Sequence, residues 1–408
     1  MPHGLALALE TVTTVLTVAG MGYFLAALVA ARVYLRERRG PVARFAPGVS
    51  ILKSLKGLDP GMLDAFRSHC RQSYAGEFEM LFGVSSLGDE AIAAVEQLKI
   101  EFPERAIQLV ECPERLGTNG KVSTLVQLAA HARHDYLLIN DSDITVSPRY
   151  LERVMGCFGT GSETAGRDRS AIGLVTALYR GRAHGTLGSK LEALGIATDF
   201  MAGLLMSKMI EGGLHYGLGS TLAVSSEALE KAGGLLPLVD YLADDHELGV
   251  RIAKAGYRVA VSAEVVETGI PAYDWGGFLD HQLRWARTVR DARPWGYAGL
   301  IFTHGLGLAL VNLLASGLSP LSLWLLGLSF FLRLAEAMSV GAEVLGDHEV
   351  LPRLWLLPLR DVVAMGIWVA GFAGHTIVWR GERFVLKGGK LEKQGSGIRV
   401  QGSEKLVG

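Results

Sequence analysis

The stretch Tyr136-Leu137-Leu138-Ile139-Asn140-Asp141-Ser142-Asp143-Ile144-Thr145-Val146 decides the fold. Its apolar start reads as a buried strand. An acidic triplet ends that strand, and a second apolar run follows. Two carboxylates in such a place are costly unless something pairs with them. The carboxyl end of a strand is also where open α/β sheets bind ligands. Asp141 and Asp143 therefore read as holding a hard divalent cation, Mg²⁺ or Mn²⁺, against a diphosphate. A solvated turn is the plainer reading of the same D-x-D.

The flanking sequence supports a sheet. Val49-Ser50-Ile51-Leu52 opens a strand, Gly57-Leu58-Asp59-Pro60 breaks it, and residues 62–70 read as a helix. Phe78-Glu79-Met80-Leu81-Phe82-Gly83-Val84 and Ile107-Gln108-Leu109-Val110 are further strands, and residues 121–132 form a second helix. This alternation predicts an α/β domain with a mainly parallel sheet and helices on both faces. Residues 172–178, 221–225 and 257–261 read as later strands. The Met-rich run 201–210 reads as a core helix or as a membrane-surface helix, and it is too short to span a bilayer.

Three more polar islands follow the same logic. Asp89 stands after the second strand, where a carboxylate can bind a uracil ring or a ribose hydroxyl, or cap the helix that Glu90 begins. Lys121, in Gly117-Thr118-Asn119-Gly120-Lys121, contacts phosphate or merely starts a helix. Asp244-Asp245 sits in Leu242-Ala243-Asp244-Asp245-His246-Glu247. Asp245 is the candidate general base and Asp244 its supporting neighbour, since adjacent like charges raise one pKa; helix capping is the alternative. In His281-Gln282-Leu283-Arg284-Trp285, Arg284 can clamp a phosphate. Trp285 can stack on a sugar or seat a helix at the bilayer interface. His215 and His246 stay open between polar-site and surface roles.

Composition sets limits. The chain has 408 residues and a formal net charge of −1, so nothing global suggests nucleic acid. Its three cysteines are widely spaced and odd in number, against a disulfide framework or a Cys-based zinc site. Mean hydropathy is +0.28, and the apolar excess lies at the two ends. Residues 11–31 carry no charge and end in Arg32, Arg36, Arg38 and Arg39, which reads as an uncleaved anchor with the arginines in the cytoplasm. Residues 295–332 lack Asp, Glu, Lys and Arg and exceed one crossing, with Gly317-Leu318-Ser319-Pro320 as the turn of a hairpin. Residues 362–379 are a third run, followed by Arg380, Arg383, Lys387, Lys390 and Lys393. Three later crossings would put those cations outside, against the charge rule; an interfacial or re-entrant segment removes the conflict. The apolar segments are expected to hold almost no charge, contrary to a solute route.

Together these residues resemble the ceramide glucosyltransferase family and its bacterial relatives, from about Val49 to Trp379-Arg380-Gly381-Glu382-Arg383-Phe384. Asp89, Asp141 and Asp245 take the family's aspartate places. Arg284-Trp285 ends its last motif, and His281 stands where the family usually has Gln or Arg, with Gln282 beside it. The resemblance implies a GT-A (Rossmann-like nucleotide-diphospho-sugar transferase) domain with N- and C-terminal transmembrane helices. It implies a membrane-bound, inverting hexosyltransferase that moves a sugar from a UDP-sugar to a lipid hydroxyl, with a divalent metal. The chain looks most like the hopanoid branch of the bacterial relatives, which implies N-acetylglucosamine transfer to bacteriohopanetetrol; ceramide with UDP-glucose is the alternative, then a processive polysaccharide synthase or a non-catalytic scaffold or transporter. The expected layout is an anchor and basic flank over 1–40, a cytoplasmic catalytic domain over 41–294, a transmembrane region over 295–380 and a basic polar tail over 381–408. The expected location is the cell inner (cytoplasmic) membrane.

Overall fold

The computed structural model describes residues 3–40, 42–160, 171–379 and 382–393. Arg380, Gly381 and the polar tail expected from Gln394 lie outside the described residues. Helix α1 (His3–Glu37) leads into β1 (Val49–Ser54), α2 (Met62–Cys70), β2 (Phe78–Val84), α3 (Ile92–Glu101), β3 (Ala106–Glu111), α4 (Gly120–Ala129) and β4 (Tyr136–Ile139). Then come α5 (Tyr150–Thr160), β5 (Ile172–Ala183), α6 (Leu187–Gly195), a π-helical turn (Ile196–Phe200), α7 (Met201–Ile210), β6 (Leu222–Ser225), α8 (Ser226–Lys231), α9 (Asp244–Lys254) and β7 (Arg258–Ile270). The chain continues through α10 (Trp275–Ala292), α11 (Pro294–Gly299), α12 (Gly305–Ala315), α13 (Pro320–Ala337) and α14 (Leu357–Gly371). Strands β8 (Thr376–Trp379), β9 (Glu382–Lys387) and β10 (Lys390–Lys393) come last.

Seven strands form one sheet in the order β3-β2-β1-β4-β6-β5-β7. The first four are parallel, as the alternation of strand and helix requires. β6 runs antiparallel to both neighbours, so the sheet is mixed. β1, β2 and β4 are buried nearly throughout, which is why their sequences are continuous apolar runs rather than alternating ones. All four parallel strands end on one edge, and Asp141 follows β4 there.

Among the described residues, five helical stretches are long and apolar enough to cross a membrane: Leu7–Glu37, Leu187–Ile210, Pro294–Ala315, Pro320–Val344 and His348–Gly371. Their end contacts sort them. The carboxyl end of α1 touches the catalytic side: Tyr34 donates to Ser262 O at 3.0 Å and Arg38 to Val344 O at 2.7 Å. Toward its amino end, Thr13 and Thr14 donate to Asn312 Oδ1 at 2.9 and 3.0 Å. Between them α1 and α12 touch backbone to backbone, since a Cβ on Gly20 would stand 2.5 Å from Gly305 Cα. α12 therefore leads away from the seven-stranded sheet and α13 returns through the expected turn, with Gly317 at φ 64°, Leu318 at φ 61° and Ser319 capping α13. Leu187–Ile210 has both ends on the catalytic side. Ser189 bonds Ile270 O near its start, and Lys208 pairs with Glu37 near its end. His348–Gly371 does too: Arg180 bonds Gly346 O at 2.7 Å just before it, and Arg290 bonds Gly371 O at 2.6 Å at its end.

Two expectations change. The run 362–379 is not one helix: α14 stops at Gly371, Gly374 takes a positive φ of 73°, and β-branched Thr376, Ile377 and Val378 enter a strand. Were α1 to span a bilayer, the α11–α12 stretch would lead away from the seven-stranded sheet and α13 back to it, while Leu187–Ile210 and His348–Gly371 begin and end near that sheet. In that arrangement Lys387, Lys390 and Lys393 would stand on the side of the arginines after α1, which is the placement the charge rule favours. The apolar segments are also not free of charge. Arg333, Glu336, Asp361, Asp199 and Arg360 meet where α13, α14 and the π-helical turn converge. Arg333 is almost fully buried and bonds Asp361, Glu336, Asp199 and the carbonyl of Thr198. Paired this way the charges form a closed knot rather than a path.

In sealed vesicles, single cysteines at Lys393→Cys and Lys254→Cys are expected to react with an impermeant maleimide from the same side, and Ser316→Cys from the opposite side. Labelling of Lys393→Cys together with Ser316→Cys contradicts the three-crossing arrangement.

Candidate active site

The end of β4 hands Asp141 to the hollow at the sheet's carboxyl edge. Lys121 Nζ lies 2.7 Å from Asp141 Oδ1 and 3.7 Å from Asp244 Oδ2. Lys121 is placed by the start of α4, which Asn119 caps by accepting from Val122 N. The Asn119 amide donates to Tyr241 O at 2.8 Å and to Asp244 Oδ1 at 3.4 Å, joining the starts of α4 and α9. Beneath the triplet, Lys53 of β1 is fully buried and donates to Asp141 O at 3.0 Å. Asp143 turns toward the end of β7 and accepts from Thr268 Oγ1 and from Gly269 N, the latter at 3.1 Å. Ser142 donates to Asp59.

Asp244 and Asp245 form the first turn of α9, where the helix dipole favours negative charge. Asp245 accepts from Gly219 N at 2.7 Å through Oδ2 and from His246 N at 2.8 Å through Oδ1. A Cβ on Gly219 would stand 3.2 Å from Asp245 Oδ2 and 3.5 Å from Asp141 Oδ2. Both carboxylates thus face one bare patch of backbone, and glycine keeps that hollow open.

The electrostatics follow from burial and crowding. Burial raises Asp244 to about 6; Lys121 opposes this, and the charges of Asp245 and Asp141 add to it. Asp245 is also raised by burial, against Lys121 and its two N–H bonds. Asp143 is raised by burial and by Asp141 beside it. Burial lowers Lys53 to about 7 despite Asp143 and Asp141. For Lys121, burial works against the charge, but Asp141 and Asp244 outweigh it and hold the ammonium well above its usual range.

Among the described residues, no group of three or more His, Cys, Asp and Glu side chains is arranged to hold a metal ion. Two hard carboxylates are nonetheless the protein's usual share for Mg²⁺ on a phosphate substrate. Asp141 and Asp143, mutually repelling and oxygen-only, fit that donor set.

A second cluster adjoins the first. His281 Nδ1 lies 3.0 Å from Glu192 Oε2, and Gln282 Nε2 donates to the same oxygen at 3.4 Å. Glu192 is only 2% exposed. His281 stacks on Tyr273 at 5.3 Å, Trp285 packs on Phe200 at 5.7 Å, and Phe200 on Tyr179 at 5.9 Å. Asp274 caps α10 and so fixes the helix that carries His281, Gln282, Arg284 and Trp285. Buried Tyr179 has its hydroxyl raised by burial and by Asp245, Glu192, Asp141 and Asp143. Tyr273 is raised by burial and Glu192, while Arg284 opposes and Asp143 adds. These two tyrosines sit where the clusters meet.

Asp89 is placed apart from these acids. Its Oδ1 accepts from Gly57 N and from Ala91 N, each at 2.9 Å, which ties the ends of β1 and β2 together and caps the following turn. His246 stacks on Tyr216 at 5.4 Å. Lys53, Asp59, Glu192, Tyr179 and Tyr273 were not singled out from sequence. Two of them left a signal: a lysine inside the apolar strand Val49-Ser50-Ile51-Leu52-Lys53, and a lone acid in the apolar run Leu191-Glu192-Ala193-Leu194.

A mixed Rossmann-like sheet with acids gathered at its carboxyl edge, joined to long apolar helices, defines a GT-A-like glycosyltransferase. A mannosyltransferase from Pyrobaculum calidifontis, solved with GDP-Man and Mn²⁺, shares the fold: the TM-score is 0.51 at 19% identity, over 89% of this chain and 97% of that one. The model of glycosyl transferase family 21 matches residues 12–391, and the chain belongs to that family. Ceramide glucosyltransferase 3 of Caenorhabditis elegans is 24% identical over 367 residues, 84% of this chain and 73% of that protein. Ceramide glucosyltransferase 1 of the same organism is 23% identical over 369 residues, 87% and 75% of the two chains.

Ionising the Asp244–Asp245 pair costs more here than in water. A reaction that needs the ionised pair is therefore expected to lose rate as pH falls through about 6, the value to which Asp244 is raised. A plot of log kcat/KM against pH checks this; a profile flat well below that value removes the pair from the proton transfer.

Proposed function

We propose that this protein moves a hexose from a nucleotide diphosphate sugar, UDP-glucose first among them, to the hydroxyl of a ceramide-type lipid at a membrane surface. One observation carries the reading. The carboxylates of Asp245 and Asp141 face one patch of backbone at Gly219, and Tyr179, whose hydroxyl feels both charges, packs on Phe200 of the apolar helical stretch Leu187–Ile210. The names of the two nematode relatives support the ceramide-type acceptor and the glucose donor. None of these similar proteins is named for a hopanoid, so transfer of N-acetylglucosamine to bacteriohopanetetrol stands second. The catalytic domain, over about 41–294, would face the cytoplasm, on the side of the arginines after α1.

Asp245 takes the proton of the acceptor hydroxyl as that oxygen attacks the anomeric carbon. The bond to the diphosphate breaks on the opposite face, which inverts the sugar. Gly219 N and His246 N hold the carboxylate in place, and Asp244 keeps its charge environment negative. Lys121 and Arg284 supply positive charge for the departing diphosphate. Asp141 and Asp143 would hold a divalent cation, which when bound neutralises the leaving group. His281 is oriented by Glu192, and Trp285 closes the sugar side. Asp89 braces the loops on the nucleoside side.

Asp245→Asn is expected to lower kcat by roughly 10²- to 10⁴-fold with UDP affinity retained; normal turnover by the purified variant rejects the base assignment. Mass spectrometry of lipids from cells with and without the gene names the acceptor. A hexosylated ceramide supports the first reading, and a glycosylated hopanoid replaces it with the second.

A further inference from the structure

The segment following α14 is a built structure. β8, β9 and β10 make a three-stranded antiparallel sheet with its own small core of Ile377, Phe384, Leu386 and Leu391, which Leu242 completes. The sheet is fastened to the catalytic domain at several points. Leu391 N donates to Asp240 O at 2.7 Å, Leu242 N donates to Gly389 O at 3.2 Å, and Gly389 N donates to Asp291. Arg287 of α10 donates to Thr376 O at 2.6 Å. Asp240 in turn accepts from Thr118 N at 2.9 Å and from its hydroxyl at 3.0 Å. One loop, residues 240–242, is therefore held by the C-terminal sheet on one side and by the start of α4 on the other. It leads directly into Asp244 and Asp245.

Under this sheet lies a cavity of about 210 Å³. Its floor includes Lys56 after β1, Ser85 after β2 and Arg115 after β3, and its inner wall is Lys121. Trp379, Glu382 and Phe384 line it from the C-terminal sheet. Lys121 belongs to two places at once: it lines this cavity and its ammonium touches Asp141. The cavity thus continues the acidic hollow along the carboxyl ends of the first three strands. A diphosphate lying on Asp141 and Lys121 would extend its nucleoside into this space.

We propose that the C-terminal sheet roofs the nucleoside pocket of the donor and that Trp379 stacks on the base. The proposal rests on the reading of the protein as a nucleotide-sugar enzyme. An aromatic face gives a base a partner that needs no hydrogen-bond code, while Lys56, Ser85 and Arg115 offer polar contacts below. The same sheet holds residues 240–242, so the pocket's roof and the position of the candidate base share one support.

Calorimetry on the full-length purified protein in detergent tests this with UDP and with inorganic pyrophosphate as probes. Trp379→Leu and Trp379→Ala are each expected to weaken UDP roughly 5- to 150-fold, the usual effect of losing one base–aromatic stack. Pyrophosphate affinity stays unchanged in both, and Trp379→Phe binds UDP within a few-fold of the native protein. The leucine variant keeps an apolar side chain against Phe384, so it reads stacking apart from folding. UDP binding by Trp379→Leu equal to that of the native protein overturns the roof. Native protein that binds pyrophosphate and UDP equally well also overturns it and leaves the diphosphate site standing. Native protein that binds neither removes the nucleotide-sugar reading and the roof together.

Discussion

The ammonium of Lys121 is the charge on which the site depends. Asp141 comes from the end of β4 and Asp244 from the start of α9, and both approach this one cation. Buried carboxylates repel one another strongly, because the low dielectric that strengthens attraction strengthens repulsion too. Without a cation between them, the acids of β4 and α9 could not share a hollow in ionised form. Lys53 lies below, its pKa pushed down to about 7 by burial. Backbone N–H groups of Gly219 and His246 do the rest for Asp245. The result is a site poised to receive further positive charge, which suits a cation-bound diphosphate.

One helical stretch joins this chemistry to the membrane helices. Within residues 187–210, Glu192 bonds His281 and Gln282, Phe200 packs between Tyr179 and Trp285, and Asp199 pairs with Arg333 and Arg360. Asp199 and Phe200 are adjacent on the π-helical turn and pack on different neighbours, Asp199 on Arg333 and Arg360 and Phe200 on Tyr179 and Trp285. The apolar helices and the candidate site are thereby joined through one helical stretch. That arrangement explains why charged residues are retained in otherwise apolar segments. They anchor the helix that carries part of the site.

Much of the fold was legible. The buried strands 49–54, 78–84 and 136–139 are continuous apolar runs, and runs of that kind are local facts about the chain. The turn before Pro320 was equally plain, because glycine and proline restrict the backbone wherever they occur. The acids at 141, 143, 244 and 245 stood out because charge after an apolar strand demands a partner. Lys53 and Glu192 were not picked out, since a lone charge in an apolar run has no meaning until its partner is known. Asp89 read equally well as a nucleotide contact and as a cap, and the structure gives it a bracing bond to Gly57.

The sequence by itself determined the α/β class, the strand ends that carry the acids, and most of the segments apolar enough for a bilayer. All of these depend on neighbours within a few residues. Leu187–Ile210, of which 201–210 alone read as too short to span, came only with the structure. Only the tertiary structure decided how the ends of the apolar segments meet the sheet, that Glu192 stands behind His281, and that β8, β9 and β10 pack against residues 240–242. Each of those rests on contacts between residues about eighty or more positions apart, as with Glu192 against His281 and Leu391 against Asp240. No local pattern encodes such pairs, because their energy appears only once the chain has closed the loop between them.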